Sequence, residues 1–346
     1  MSDSSAMKIK SNVICQPFEG SLQRDIFILS NGTSRWKVDR TVYDIINLLR
    51  EETPPDLLKS TLMELSSKVD GDDYDKKIDQ SIEFLKQNGL IEGYDIETKK
   101  KVKPMWLKIQ LLTGNTVGKI KILQGLYSKI VFCPCMMLEL IWLIWMLTYY
   151  HADRIAEQLT GLRALDILEI FLFILFISMV HELGHVTALT YGGGFSKGIG
   201  IGMYLFLPVA WSDANDAWFL PKKDRLRVDF GGVYFQLLFT AIVYVLNMVF
   251  WGNSTIIFAC IISAQTALFN LSPIMQFDGK WLVMDAFGVT DLKETTIKIL
   301  SGRTTHDELS MSKHLQLLFV IIMLFSAALT IMFFSILAIT LISKLL

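Results

Sequence analysis

His181-Glu182-Leu183-Gly184-His185 places two imidazoles four residues apart with a carboxylate directly after the first. On a helix, side chains at that spacing leave one face, so the two histidines can share a metal ion. Glu182 then stands where it can hold and deprotonate a water, which is the arrangement for hydrolysis by water attack on a peptide bond. The segment runs straight out of the apolar stretch 170–180, which reads as a membrane-spanning helix. Ionisable groups at membrane depth cost free energy, and their usual justification is function. The bland alternative, two histidines merely hydrogen-bonded in a helix bundle, fits that placement less well.

The elements that must position this site belong to a membrane protein. The chain has 346 residues, 52% of them hydrophobic, a formal net charge of −1 and a positive mean hydropathy. A balance so close to neutral gives no reason to expect nucleic acid as a partner, and lipid is the expected surroundings. Apolar segments at about 131–150, 165–190, 231–251, 255–275 and 315–343 are each near the ~20 residues that cross the hydrocarbon, giving five spans in a mainly α-helical protein. Met1 to Gly20 lacks an apolar core behind a basic start and does not read as a signal peptide.

Loop charge sets the orientation. Eight lysines between Lys99 and Lys129 precede the first span, Lys222, Lys223, Arg225 and Arg227 precede the third, and Lys280, Lys293, Lys298, Arg303 and Lys313 lie between the fourth and fifth. All are cytoplasmic if the N-terminus is, which puts 181–185 toward the cytoplasmic end of the second span. The expected location is a bacterial cell membrane, with the first hundred residues on the cytoplasmic side.

Those first hundred residues read as a separate α+β unit between a tail, 1–20, and a basic linker and juxtamembrane segment, 98–130; the membrane domain is 131–346. Residues 25–29 and 34–38, joined at Asn31-Gly32, make a β-hairpin. Helices follow at about 40–51, 54–68 and 73–88, the last stopped by Gly89 before a short strand at 90–94. The layout is compatible with a small winged-helix domain over 21–97. Acidic residues such as Asp70, Asp72, Asp73 and Asp75 argue against DNA and for an extended peptide added at the edge of the hairpin.

Two histidines leave a tetrahedral zinc short of a protein ligand. Asp278 is the candidate, in Asn270-Leu-Ser-Pro273-Ile-Met-Gln-Phe-Asp278-Gly279 at the end of the fourth span and on the same side of the membrane. Alone, Asp-Gly reads as a turn; paired with 181–185 it reads as a ligand.

The two motifs together, over roughly residues 165–290, resemble the intramembrane zinc metalloproteases of the site-2 protease family. The resemblance implies one zinc ion per chain on His181, His185 and Asp278, Glu182 as the catalytic acid/base, and Asn270 orienting the substrate or polarising its carbonyl. The chain departs from the family where a Gly-Pro pair followed by Asn is common: it has Gly231-Gly232 and then Gln236, and it has Met275 and Gln276 where prolines are common. These departures touch substrate positioning more than metal binding. The N-terminal unit resembles PqqD-like domains that recognise the leaders of ribosomally made, modified peptides. Joined to the protease-like part, that implies leader removal from such a precursor, with an ABC exporter as a candidate partner. The rival readings are regulated cleavage of a signalling protein, and a non-catalytic exporter or immunity subunit with a protease-like fold.

The remaining polar residues read more plainly. Asp213 and Asp216 form a polar loop between Trp211 and Trp218, with a role behind the metal ligands as the alternative. His151, His306 and His314 read as exposed or interfacial, and Glu139 and Glu169 as interfacial. Cys133-Pro134-Cys135 reads as two small apolar residues rather than a soft metal site. The glycine-rich run 192–202 follows a helix rather than a strand, so it reads as a strand or re-entrant hairpin beside the site, not as a phosphate loop.

Overall fold

The computed structural model describes residues 7–21, 25–32, 34–51, 54–65, 71–94, 105–149, 162–275, 277–302 and 311–345. The chain separates into two compact units, Met1–Val102 and Lys103–Leu346.

In the first unit, β1 (Ile14–Pro17), β2 (Phe27–Ser30) and β3 (Arg35–Val38) form an antiparallel sheet in that order. The β2–β3 hairpin turns at Asn31-Gly32, where Gly32 takes φ +83 and Ser34 N–H donates to Asn31 Oδ1. The sequence pattern had shown the hairpin but not β1, whose alternation is too short to stand out. Three helices follow: α1 (Arg40–Arg50), α2 (Pro55–Leu65) and α3 (Gly71–Gln87). Asp39 caps α1, accepting from Val42 N–H, and Gly89 ends α3 in the left-handed region at φ +61. Residues 90–94 contribute an isolated bridge, Ile9 to Ile91, in place of the expected strand. Ile45, Ile46 and Leu49 of α1 are fully buried with Leu29, Leu62, Ile78 and Leu85, so the helices close over one face of the sheet. Leu49→Ala in the segment 1–102 should therefore cost about 2–5 kcal/mol, read as a lowered urea midpoint; an unchanged midpoint would mean that this core does not hold the unit together.

The second unit is mostly helical. After β4 (Met105–Thr113) come two short helices, α4 (Gly114–Lys119) and α5 (Lys121–Gly125), then the long α6 (Lys129–Tyr149) and α7 (Ala164–Tyr191). The hairpin β5 (Gly198–Tyr204) and β6 (Leu207–Ser212) leads through a 3-10 turn at Asn215–Phe219 into α8 (Lys222–Phe250). Then come α9 (Ser254–Asn270), α10 (Asp278–Phe287), α11 (Leu292–Leu300) and α12 (Lys313–Leu345). Among the described residues four helices, α6, α7, α8 and α12, are long and apolar enough to cross a membrane. The segment expected as a fourth span is the shorter α9, 17 residues, because the chain turns at Leu271–Ile274 before reaching Asp278. The third span starts earlier than its hydropathy suggests: α8 takes in Lys222 to Arg227, with Arg225 buried.

The glycine-rich run does form strand β5, antiparallel to β6 on one side and to β4 on the other. β4 lies within the segment read as linker and juxtamembrane; residues 98–104 of that segment fall outside the described residues. Glycines at 198, 200 and 202 let β4 approach, since a Cβ on Gly200 would lie 2.0 Å from Ile109 O. Glu139 is not interfacial: it is 3% exposed within α6, and neither carboxylate oxygen has a hydrogen-bond partner. Glu169 accepts from Asn253 Nδ2. His314 is exposed at the start of α12, whereas His151 and His306 lie outside the described residues.

Candidate metal centre

The site is built where α7 and α8 come closest. A Cβ on Gly184 would lie 2.1 Å from Gly231 O, so neither helix tolerates a side chain at the crossing. Tyr127, fully buried, donates its hydroxyl to Gly184 O at 2.9 Å and stacks on Phe235, closing the contact from one side. Such close approach through small residues is how apolar helices associate without a hydrophobic driving force.

Beyond this crossing the imidazoles of α7 are tied down by α8. His185 Nδ1 lies 2.7 Å from Val228 O and His181 Nδ1 lies 2.9 Å from Gln236 Oε1. A carbonyl oxygen can only accept, so His185 carries its proton on Nδ1. The amide of Gln236 is oriented the same way, because its Nε2 donates to Ser263 O and Thr266 Oγ1 and leaves Oε1 for His181. With Nδ1 so engaged, each ring turns its Nε2 inward, the nitrogen that a neutral imidazole in this tautomer offers to a metal.

Asp278 meets them from the first turn of α10. Its Oδ2 is 2.9 Å from His181 Nε2, its Oδ1 is 3.4 Å from His185 Nε2, and the two Nε2 atoms are 3.1 Å apart. Asp-Gly is thus not a turn here. Gly279 lets α10 start against α9, since a Cβ on it would lie 2.0 Å from Leu271 O.

His181, His185 and Asp278 offer ligand atoms all within 4.8 Å of one another. Tetrahedral zinc with bonds of about 2.0–2.1 Å separates its ligands by roughly 3.3 Å, close to the 3.1 Å between the two Nε2 atoms. The space between them is kept by Gly232, whose Cβ would sit 2.4 Å from both Nε2 atoms. Donor types, spacing and the cradle above Gly232 all fit the ion.

The structure separates the other residues singled out in the sequence. Glu182 accepts from Ser212 Oγ at 2.5 Å, so the end of β6 holds the carboxylate. Asn270 ends α9 half-buried, its side chain without a hydrogen-bond partner among the described residues. Asp213 and Asp216 build the loop after β6: Asp213 accepts from Asn215 N–H, and Asp216 from Phe195 N–H. Cys133 is exposed and Cys135 half-buried near the start of α6. Ser212 and the carbonyl of Val228 gave no signal in the sequence. The pair Gly231-Gly232 in an apolar helix was such a signal, and Gln236 had been noted only as a departure from a motif.

Two histidines of a membrane-length helix and an aspartate of a second helix thus form a group that could hold a metal ion. Among curated proteins the chain is similar to a protein of Bacillus subtilis (strain 168), provisionally named a peptide zinc metalloprotease protein, YydH: 24% identical over 205 residues, 58% of this chain and 79% of that one. No protein-family model matches the chain, and no solved structure matches it at a significant level.

Gly232→Ala should abolish zinc binding by purified protein while leaving helix content by circular dichroism unchanged. Full zinc binding by this variant would place the ion elsewhere.

Proposed function

We propose that the chain is a zinc-dependent membrane endopeptidase of the site-2 type, with His181, His185 and Asp278 as ligands and Glu182 as acid/base. The observation that carries this reading is the meeting of Asp278 with two imidazoles whose tautomers are already set for a metal. The similarity to a protein provisionally named a peptide zinc metalloprotease supports it.

Zinc held there would polarise the scissile carbonyl and bring the attacking water toward a pKa of about 7. Glu182 takes the proton from that water and returns it to the leaving amine. The Ser212 hydroxyl occupies one carboxylate oxygen, fixing the side chain while the second remains for the proton. Gly184 and Gly231 leave no gap where α7 crosses α8, which excludes water from that side of the rings.

The substrate enters extended, because a helix shields its own carbonyls. β6 is the terminal strand in the sheet order β4-β5-β6, so its outer edge is open to another strand among the described residues. A peptide laid along that edge is led to Ser212, and hence to Glu182. Asn270 would hydrogen-bond such a substrate in this reading.

In this reading the N-terminal unit is a winged-helix, PqqD-like domain, and the sheet edge at β1 or β3 takes the leader of a ribosomally made, modified peptide as an added strand. Leader removal at a bacterial cell membrane, with the N-terminal unit cytoplasmic and an ABC exporter as partner, follows from that assignment.

Purified protein and Glu182→Gln, incubated with the peptides encoded beside the gene and read by mass spectrometry, test the activity. The wild type should cut and the variant should lose at least about a hundredfold in rate while keeping its zinc, the range expected for removing a general base. His185→Ala and Asp278→Ala should each weaken zinc binding severely and lose cleavage. Equal cleavage by Glu182→Gln would refute the assignment.

A further inference from the structure

The third ligand of the proposed zinc site rides on a helix that is short and must be held at one height and rotation for Asp278 to reach the imidazoles. α8 and α10 touch at two matched points. On α8, Arg225 and Gly232 are seven residues apart; on α10, so are Asp278 and Asp285. Seven residues are close to two turns, so in each helix the two positions share a face, about 10 Å apart along the axis. At one point Gly232 underlies the histidine nitrogens that Asp278 meets. At the other, Arg225 Nε donates to Asp285 Oδ1 at 2.9 Å. The helices therefore run antiparallel in register, with an ion pair at one end of the shared face and the metal site at the other.

The ion pair is built to hold position. Arg225 is 1% exposed, and its Nη1 donates to Leu220 O at 3.0 Å, which fixes the plane of the guanidinium from behind. Lys222 Nζ donates to Ala286 O at 2.9 Å, gripping the same end of α10. Asp229, one turn along α8, lies within electrostatic reach of Asp285, and its buried Oδ2 has no hydrogen-bond partner among the described residues. A buried ion pair is a poor source of net stability, because desolvation offsets much of its attraction. What the planar fork of arginine does fix is geometry.

We propose that Arg225 is a positioning residue of the metal site: by gripping Asp285 it sets the rotation and height of α10, and so aims Asp278 at His181 and His185. This rests on the zinc reading given above. Arg225 is not among the proposed ligands, and its grip on Asp285 reaches the site through α10.

The test uses the full-length chain purified in detergent, stripped with a chelator and titrated with zinc against a chromophoric competitor. Arg225→Ala should hold zinc about 10- to 100-fold more weakly than wild type, the range for loss of a partner behind the ligands. In an Asp278→Ala background the same change should weaken zinc no further, because the ligand it aims is already gone. A general loss of structure would instead add to the effect of Asp278→Ala. Wild-type zinc affinity in Arg225→Ala, or additive losses in the double variant, would overturn the proposal. Should Arg225→Ala not purify as a folded protein, Arg225→Lys decides: it keeps the buried charge without the fork, and should still lose several-fold, whereas wild-type affinity there would overturn it. A wild-type protein that binds no zinc contradicts the zinc reading itself.

Discussion

The crossing of α7 and α8 at Gly184 and Gly231 is the constraint on which the rest of the site depends. No Cβ fits at either glycine, and the next residue of α8, Gly232, leaves open the space between the two imidazoles. Once the backbones are that close, the carbonyl of Val228 and the amide of Gln236 fall within reach of the two Nδ1 atoms. A bulkier residue at 231 or 232 would separate the helices and lose both contacts. In an apolar surround, where helix association gains little from burial, packing of this kind and the hydrogen bonds it permits supply the attraction.

α8 is therefore more than one span among several. Along one continuous helix it carries Arg225, Val228, Gly231, Gly232 and Gln236, which meet in turn α10, His185, Gly184, the space between the imidazoles and His181. Rigid helical geometry converts one backbone placement into several side-chain placements. The base is supported separately: Glu182 is held by the last residue of β6, so the sheet and the helix pair each fix one part of the arrangement. That division lets the strand edge present an extended peptide without disturbing the histidines.

Much of this was legible in the sequence because it is local. The spacing of His181 and His185 needs only helical periodicity, and the alternation around Asn31-Gly32 needs only a hairpin. Asp278 lies 93 residues beyond His185, and no local rule links them; a paired motif and the side of the membrane did. β4 was missed because its strand, with Lys108 and Gln110 among apolar residues, follows a run of lysines that reads as a solvated linker. Hydropathy alone makes α9 a full span, because it does not register the turn at 271–274. Ser212 and Arg225 could not be found at all, since an isolated serine or a loop-like arginine acquires meaning only when tertiary packing brings Glu182 or Asp285 to it.

The central claim is that two imidazoles from one helix and a carboxylate from another share one zinc ion. X-ray absorption at the zinc edge, on the purified, zinc-loaded protein, tests it most directly. The account predicts a first shell of nitrogen and oxygen at about 2.0–2.1 Å, with the outer scattering of two imidazole rings and no sulfur. A sulfur shell at about 2.3 Å, which would point to Cys133 and Cys135, or a shell without imidazole scattering, would contradict it.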